Sequence, residues 1–597
     1  MSKQHIEGSN ATGFVKPPLG PPLRASHTER GELPTSVELP ISTSEDKRRH
    51  TDARQPLDAL LVGLVIIGAG LRLCQYIANT SLWGDEILLA SNILHRSTRD
   101  LLRSPLANGQ VAPRGFLLAE KLVALLLGPS DYALRLFPLL CSLAALVIFW
   151  RLVRHFLEGY AAPVGLALFA TAPPFVTFAA EAKQYSADVA AAVLLLWLSV
   201  SLAGANISLR RALWAGAAGA ISVWFSQPAV FMTCGLGVSL ALIAWRERSN
   251  RGSRKLFVFI PMLVMWAISA AAAVFDGLAN MSAPTRKFMH LFWAAGLLPQ
   301  PAWHALQMHW PWNQLKALMG SGGQAGLAYP QPGFYLLLAG FGLWCLWSRL
   351  GAVAVLPLAP IGVTLAAAVA RQYPFSDRLI LFLVPSILMG MAASVGWIQQ
   401  RVASWSKWGG WVVCVALVGP AIYPTIATPP PYRIEDIKPV MSYLRVNRRP
   451  GDAVFLYAGA VLPFRFYSRD YGFHEDDYTE GKCHRGDSRG DLEELDSFRG
   501  SKRLWVVITH ALPFYHERED ILHYLDTIGV CRDALIVQSR VVSHWALPAE
   551  VWLFDLSDPR RPGAATAASI SLLGDSSHYP RKDCDEDAPL FVLPRTF

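Results

Sequence analysis

Three short stretches set charged side chains at the ends of apolar segments. SLWGDE, residues 81–86, places Asp85 and Glu86 side by side. PPFVTFAAEAKQYSAD, residues 173–188, sets Glu181 beside Lys183, with Tyr185 following. RQYPFSDR, residues 371–378, carries Arg371, Asp377 and Arg378. Charges near a bilayer surface are costly and tend to mark function, although acids such as Asp85 and Glu86 also cap helix N-termini. Glu181 and Lys183 put an acid and a base together, or form an ordinary turn loosened by Pro173 and Pro174. A guanidinium at headgroup depth, as expected for Arg378, binds a phosphate through two parallel hydrogen bonds; the alternatives are snorkelling or an ion pair with Asp377. Arg286, Lys287 and His290 add positive charge in the loop 276–332, whose Trp and Pro content also fits an interfacial lid.

The elements that carry these residues follow from composition. Of 597 residues 52% are hydrophobic and 17% charged, and the mean hydropathy is +0.29. Soluble chains average about 25% charged residues, so a disordered protein and a coiled coil are excluded and a soluble enzyme is argued against. The apolar residues fall in blocks of about 20 between residues 57 and 427, enough to cross a hydrocarbon core about 30 Å thick. The net charge of +9 is read as topology, because basic residues gather in cytoplasmic loops; membrane lipids are expected partners and nucleic acid is not.

Residues 1–55, rich in Pro, Ser, Thr and Arg, read as a disordered cytoplasmic tail. No apolar stretch with a cleavage site precedes residue 57, so no removable signal peptide is expected. Lys47, Arg48, Arg49 and Arg54 before the first span, 57–78, place residue 79 outside. Between 79 and 131 the helix-like stretches 84–103 and 113–127 are read as external and partly embedded, which makes every later basic loop cytoplasmic. The remaining spans are then 132–152, 160–178, 186–204, 212–226, 229–245, 256–275, 333–348, 351–370, 378–397 and 408–427. With eleven spans, residues 428–597 form an extracytoplasmic α/β domain, with strand-like runs at Ala453–Tyr457 and Leu504–Thr509.

Of eight cysteines, Cys483, Cys531 and Cys584 lie in that polar region, where an oxidising compartment would permit one disulfide. Their spacing matches no zinc motif. His474-Glu475-Asp476-Asp477 and Cys483-His484 could bind a metal, but a solvated acidic loop is the plainer reading.

The acidic pair after the first span, the embedded helix VAPRGFLLAEKL, the span opening SDYALRLFPLL, the short acidic loop after the third span and YPFSDRLILFLVP together resemble the GT-C superfamily of membrane glycosyltransferases. The similarity extends over residues 57–427 and is nearest to the bacterial branch resembling protein O-mannosyltransferases and the aminoarabinose and galacturonosyl transferases of lipopolysaccharide. The resemblance implies an α-helical polytopic membrane protein of GT-C type, spanning residues 56–427, in the bacterial inner membrane with residues 428–597 periplasmic. It also implies transfer of a sugar from a polyprenyl-phosphate donor to an acceptor hydroxyl of a lipid, glycan or protein at the outer face, with inversion.

In the resembled family an acid of the first outer loop is the general base, a role that falls to Asp85, with Glu86 positioning the acceptor or sharing the role. The leaving lipid phosphate needs cations rather than a general acid. Lys183 and Arg378 are the candidates, with Glu181 holding Lys183 or contacting the sugar. Many relatives begin the embedded helix with His-Pro-Pro, whereas this chain has Val111-Ala112-Pro113, so any role of that His is absent. The first loop has no Asp-X-Asp, and neither a metal nor another cofactor is expected.

Two other classes compete. A transporter or flippase would show inverted repeats and charges near mid-membrane, and no such repeat is evident. A non-catalytic scaffold of envelope biogenesis, binding partners through residues 428–597, would be indifferent to loss of Asp85.

Overall fold

The computed structural model describes residues 44–204, 207–246, 250–542, 547–558 and Leu572. The described residues from Gln55 onward belong to one compact unit. The expected tail lies mostly outside the described residues, but helical backbone already begins at Ser44, ahead of the expected boundary at 55.

Among the described residues, eight helices are long and apolar enough to cross a membrane: Leu57–Ile77, Asp131–Phe156, Tyr185–Ala203, Ala229–Arg246, Lys255–Ala279, Pro332–Val355, Asp377–Ala403 and Lys407–Ala427. A further span is made by Ala161–Thr171 and Pro173–Ala180 if their 57° bend is taken within one crossing. Pro173 and Pro174 explain the bend, since each lacks the N–H of a continuing helix and its ring crowds the preceding turn. At two expected spans, 212–226 and 351–370, the observed helices are short. They are Leu209–Phe225, 17 residues, and Ala359–Val369, 11 residues. At 1.5 Å per residue these cover about 25 and 17 Å, less than the roughly 30 Å of a hydrocarbon core. The molecule is a multi-pass, helical membrane protein.

Leu57–Ile77 turns Ile66, Ile67 and Ile77 outward, while nearly the whole of Asp377–Ala403 is buried. The latter therefore forms the centre of the bundle and carries Arg378 at its first turn. After the first span come helices Gly84–His95, Thr98–Arg103 and Arg114–Leu127. The last buries Phe116, Leu117 and Glu120 and exposes Leu122, Leu125, Leu126 and Leu127. The helix is thus two-faced, one side packed inside the protein and the other presenting leucines outward.

The described residues of the C-terminal region form five strands, β1 (Ala453–Leu456), β2 (Thr479–Glu480), β3 (Leu504–Ile508), β4 (Val530–Val537) and β5 (Ala549–Asp555). Their order is β2-β1-β3-β5-β4. β1 is parallel to β2 and β3, and β5 is antiparallel to β3 and β4. Alternate residues leave opposite faces of a strand. Trp505 and Val507 accordingly pack with Met441 and Phe464 on one side, and Val506 and Ile508 with Ile521 and Tyr524 on the other. The α/β expectation holds, with the strand-like runs ending one residue earlier than expected.

This domain is fastened to the loop after the first span. Asp436 Oδ1 accepts from Ser81 N at 3.1 Å and Oγ at 2.7 Å. Asp131 meets Lys438 at 2.6 Å and accepts from the Tyr467 hydroxyl at 2.7 Å, and the same hydroxyl accepts from Leu82 N. Leu462 packs with Leu82 and Ile87. In the acidic stretch, Asp477 accepts from His474 N and pairs with Arg448, so that carboxylate closes a turn. His484 bonds Glu494 at 3.1 Å. Cys483 is disulfide-bonded and Cys531 is free; Cys584 lies outside the described residues.

Candidate active site

Helix Gly84–His95 starts at the end of SLW, where Glu86 Oε2 accepts from Trp83 N at 3.2 Å and fixes the first turn. Ile87, Leu89, Ala90 and Ile93 anchor its inner face. Asp85 and Glu86 consequently point in different directions and meet different partners.

Glu86 is buried and saturated. Arg135 grips it with two bonds, Nε to Oε1 at 3.2 Å and Nη2 to Oε2 at 2.9 Å. Ala182 N donates to Oε1 at 2.7 Å. Arg135 also donates to the carbonyls of Thr80 and Ser81. One carboxylate thus ties the loop after the first span to helix Asp131–Phe156 and to the loop after the broken helix pair.

Asp85 gathers the cations. Lys183 Nζ lies 2.9 Å from its Oδ1 and Arg378 Nη2 lies 3.1 Å from its Oδ2. Gln110 bridges them, donating to Asp85 Oδ1 at 3.3 Å and accepting from Lys183 Nζ at 2.6 Å. The Asp85 side chain is 20% exposed, against 2% for Glu86, so Asp85 is the acid that solutes can reach. Burial opposes its ionisation, but Lys183 and Arg378 outweigh burial and hold its carboxyl down at about 2. Burial lowers the Lys183 ammonium, with Asp85 pulling the other way.

Arg378 stands among three aromatic rings, 5.7 Å from Trp83, 5.5 Å from Tyr185 and 5.4 Å from Trp293, and also bonds Gln324. Guanidinium over ring faces is an attractive arrangement. Asp377, which the sequence offered as an ion-pair partner, accepts from Ala325 N at 2.8 Å and steadies the end of the long outer loop; the ion pair of Arg378 is with Asp85. Glu181 accepts from Trp83 Nε1 at 3.3 Å. Burial and then Glu86 raise its carboxyl.

All five candidates from the sequence therefore converge. Arg286, by contrast, bonds the Leu278 carbonyl, and Arg371 bonds the Leu298 carbonyl at 2.5 Å. Gln110, Arg135, Trp83 and Trp293 are additions. Arg135 has a visible signal, a charge inside an otherwise apolar helix. Gln110 has none, since a neutral amide in a loop is unremarked until its partners are known. Glu120, on the embedded helix, is also buried, and neither oxygen has a hydrogen-bond partner among the described residues. Burial and then Glu86 push its carboxyl well up.

Among the described residues no group of three or more His, Cys, Asp or Glu side chains is arranged to hold a metal ion. The site offers one carboxylate facing two fixed cations, an arrangement suited to holding an anionic group beside an acid.

Residues 112–276 match the family model described as dolichyl-phosphate-mannose-protein mannosyltransferase. The match bears out the resemblance to membrane glycosyltransferases. The matched segment contains Glu181 and Lys183, while Asp85 and Arg378 lie outside it. No curated protein sequence matches. Among solved structures, the chain is similar to the archaeal oligosaccharyltransferase AglB from Archaeoglobus fulgidus in complex with an inhibitory peptide and a dolichol-phosphate. That alignment has 12% identity over 80% of this chain and 73% of the other, with a TM-score of 0.43. ArnT from Cupriavidus metallidurans bound to undecaprenyl phosphate aligns at 14% identity over 83% of this chain and 98% of the other, with a TM-score of 0.33.

Proposed function

We propose that the protein transfers a sugar from a polyprenyl-phosphate-linked donor to an acceptor hydroxyl at the outer face of the bacterial inner membrane. The observation that carries this reading is the meeting of Asp85 with Lys183 and Arg378. Asp85 takes the acceptor proton as the hydroxyl oxygen attacks the anomeric carbon. Lys183 and Arg378 hold the phosphate and stabilise the charge that grows on it as the leaving group. The lipid phosphate leaves as an anion and needs no general acid, so one carboxylate suffices. Displacement is direct and inverts the anomeric centre, and the cations do the work that a metal would otherwise do.

Glu86 acts here as a positioning residue, since its four bonds fix the turn that presents Asp85. Glu181 orients Trp83, which with Tyr185 and Trp293 walls in Arg378. The surface-lying helix Arg114–Leu127 brings its exposed leucines to the lipid from which the donor enters. The disulfide at Cys483 supports a periplasmic C-terminal domain, because such bonds persist in oxidising compartments.

The test is incubation of the purified protein in lipid with a panel of polyprenyl-phosphate sugars, following release of polyprenyl phosphate and labelling of added glycan, lipid and protein acceptors. Release with at least one donor is expected. Absence of release from every donor by folded protein would remove the reading.

A further inference from the structure

Both oxygens of Asp85 are engaged: Oδ1 by Lys183 and Gln110, Oδ2 by Arg378. The cations assigned above to the donor phosphate are thus the cations that hold the base. Removing the charge of Asp85 in this state would leave two buried cations without a counter-charge, which is strongly unfavourable. A carboxylate so held is a poor proton acceptor. A phosphate group brought to the same cations supplies the missing counter-charge.

The surroundings allow such an exchange, because neither cation depends on Asp85 alone for its position. Gln110 Oε1 holds Lys183 Nζ at 2.6 Å. Trp83, Tyr185, Trp293 and Gln324 hold Arg378. Glu86 is committed to Arg135 and does not replace Asp85 when it lets go, and Glu181 accepts from the Trp83 indole.

We propose that the donor phosphate and Asp85 compete for Lys183 and Arg378, so that the base is set free only in a site already holding its donor. The proposal rests on the reading of a polyprenyl phosphate as the sugar carrier. Lys183 and Arg378 outnumber the Asp85 carboxylate they pair with by one charge, and the donor phosphodiester supplies a balancing one. In the transfer step the acceptor O–H bond breaks and its proton goes to Asp85. The acceptor oxygen bonds the anomeric carbon, and the bond from that carbon to the phosphate oxygen breaks with its electron pair on the phosphate. Asp85 loses one negative charge as the phosphate gains one, so the charge around the cations is unchanged through the step. When Asp85 then releases its proton to water, it competes again for the cations and helps expel the lipid phosphate.

The experiment measures binding of undecaprenyl phosphate to the full chain in nanodiscs for the wild type, Asp85→Asn and Asp85→Glu. Competition predicts that Asp85→Asn binds about ten-fold tighter or more, the size of an ordinary coupling between two ligands, while Asp85→Glu, which keeps the charge, binds like the wild type. Equal or weaker binding by Asp85→Asn overturns the exchange and leaves the donor reading standing. Failure of all three proteins to bind, with a cooperative thermal melt showing each folded, overturns the donor reading and the exchange with it.

Discussion

Asp85 Oδ1 lies 2.9 Å from Lys183 Nζ, although the two residues stand 98 positions apart in the chain. The contact joins the loop after the first span to the loop after the broken helix pair. Arg378 closes the group from the start of the most buried span. The proposed reaction depends on all three elements holding register, and Glu86, through Arg135 and Ala182 N, braces the first two.

Arg378→Lys keeps the charge but loses the planar group that three rings enclose. Donor kcat/KM is expected to fall about ten-fold, as for replacement of a stacked, paired arginine. Steady-state kinetics with varied donor would measure it. An unchanged value would reduce Arg378 to an anchor at the membrane surface.

Glu86→Gln leaves Arg135 buried without its counter-ion. Removing one partner of a buried pair costs about 3–5 kcal/mol, so thermal unfolding of the full chain should occur at a clearly lower temperature. Exposed pairs are worth less, about 0–1 kcal/mol, and Arg154→Gln, which breaks the exposed pair with Asp58, should leave the melt nearly unchanged. Equal melts for the two variants would show that the brace is not structural.

Asp491 in the C-terminal domain gives a pH-dependent handle. Its carboxyl is buried, has no hydrogen-bond partner among the described residues, and is pushed up to about 8 by burial and then by Glu517. A carboxyl raised in the folded state binds its proton more tightly there than in the unfolded chain. Its contribution is therefore full below the ordinary carboxylate range and is lost as pH rises toward about 8. Between roughly pH 4 and 8 the wild type should lose stability that Asp491→Asn retains, as read from melts of the full chain across that range. Parallel pH profiles would show that Asp491 ionises normally.

The apolar blocks and the loosening at Pro173-Pro174 were legible because hydropathy and proline act locally. So were Asp85, Glu181, Lys183 and Arg378, whose charges stand out against apolar flanks. Their division of labour was not legible. Asp85 and Glu86 are adjacent and chemically alike, and only their placement on one helical turn sends one to Arg135 and the other to Lys183 and Arg378. The partner of Arg378 was equally hidden, because Asp377 is next to it in sequence while Asp85 reaches it only through the fold. The short helices Leu209–Phe225 and Ala359–Val369 read as full spans because apolar composition does not mark where a helix stops.

The central claim is that Asp85 is the base of a sugar transfer. A single-turnover measurement of polyprenyl phosphate release, with donor saturating and acceptor present, compares the wild type with Asp85→Asn. Release by the wild type is expected, with release at least about 100-fold slower by Asp85→Asn, the lower end of what general-base catalysis contributes, and the donor still bound. A rate for Asp85→Asn within a few-fold of the wild type would contradict the claim.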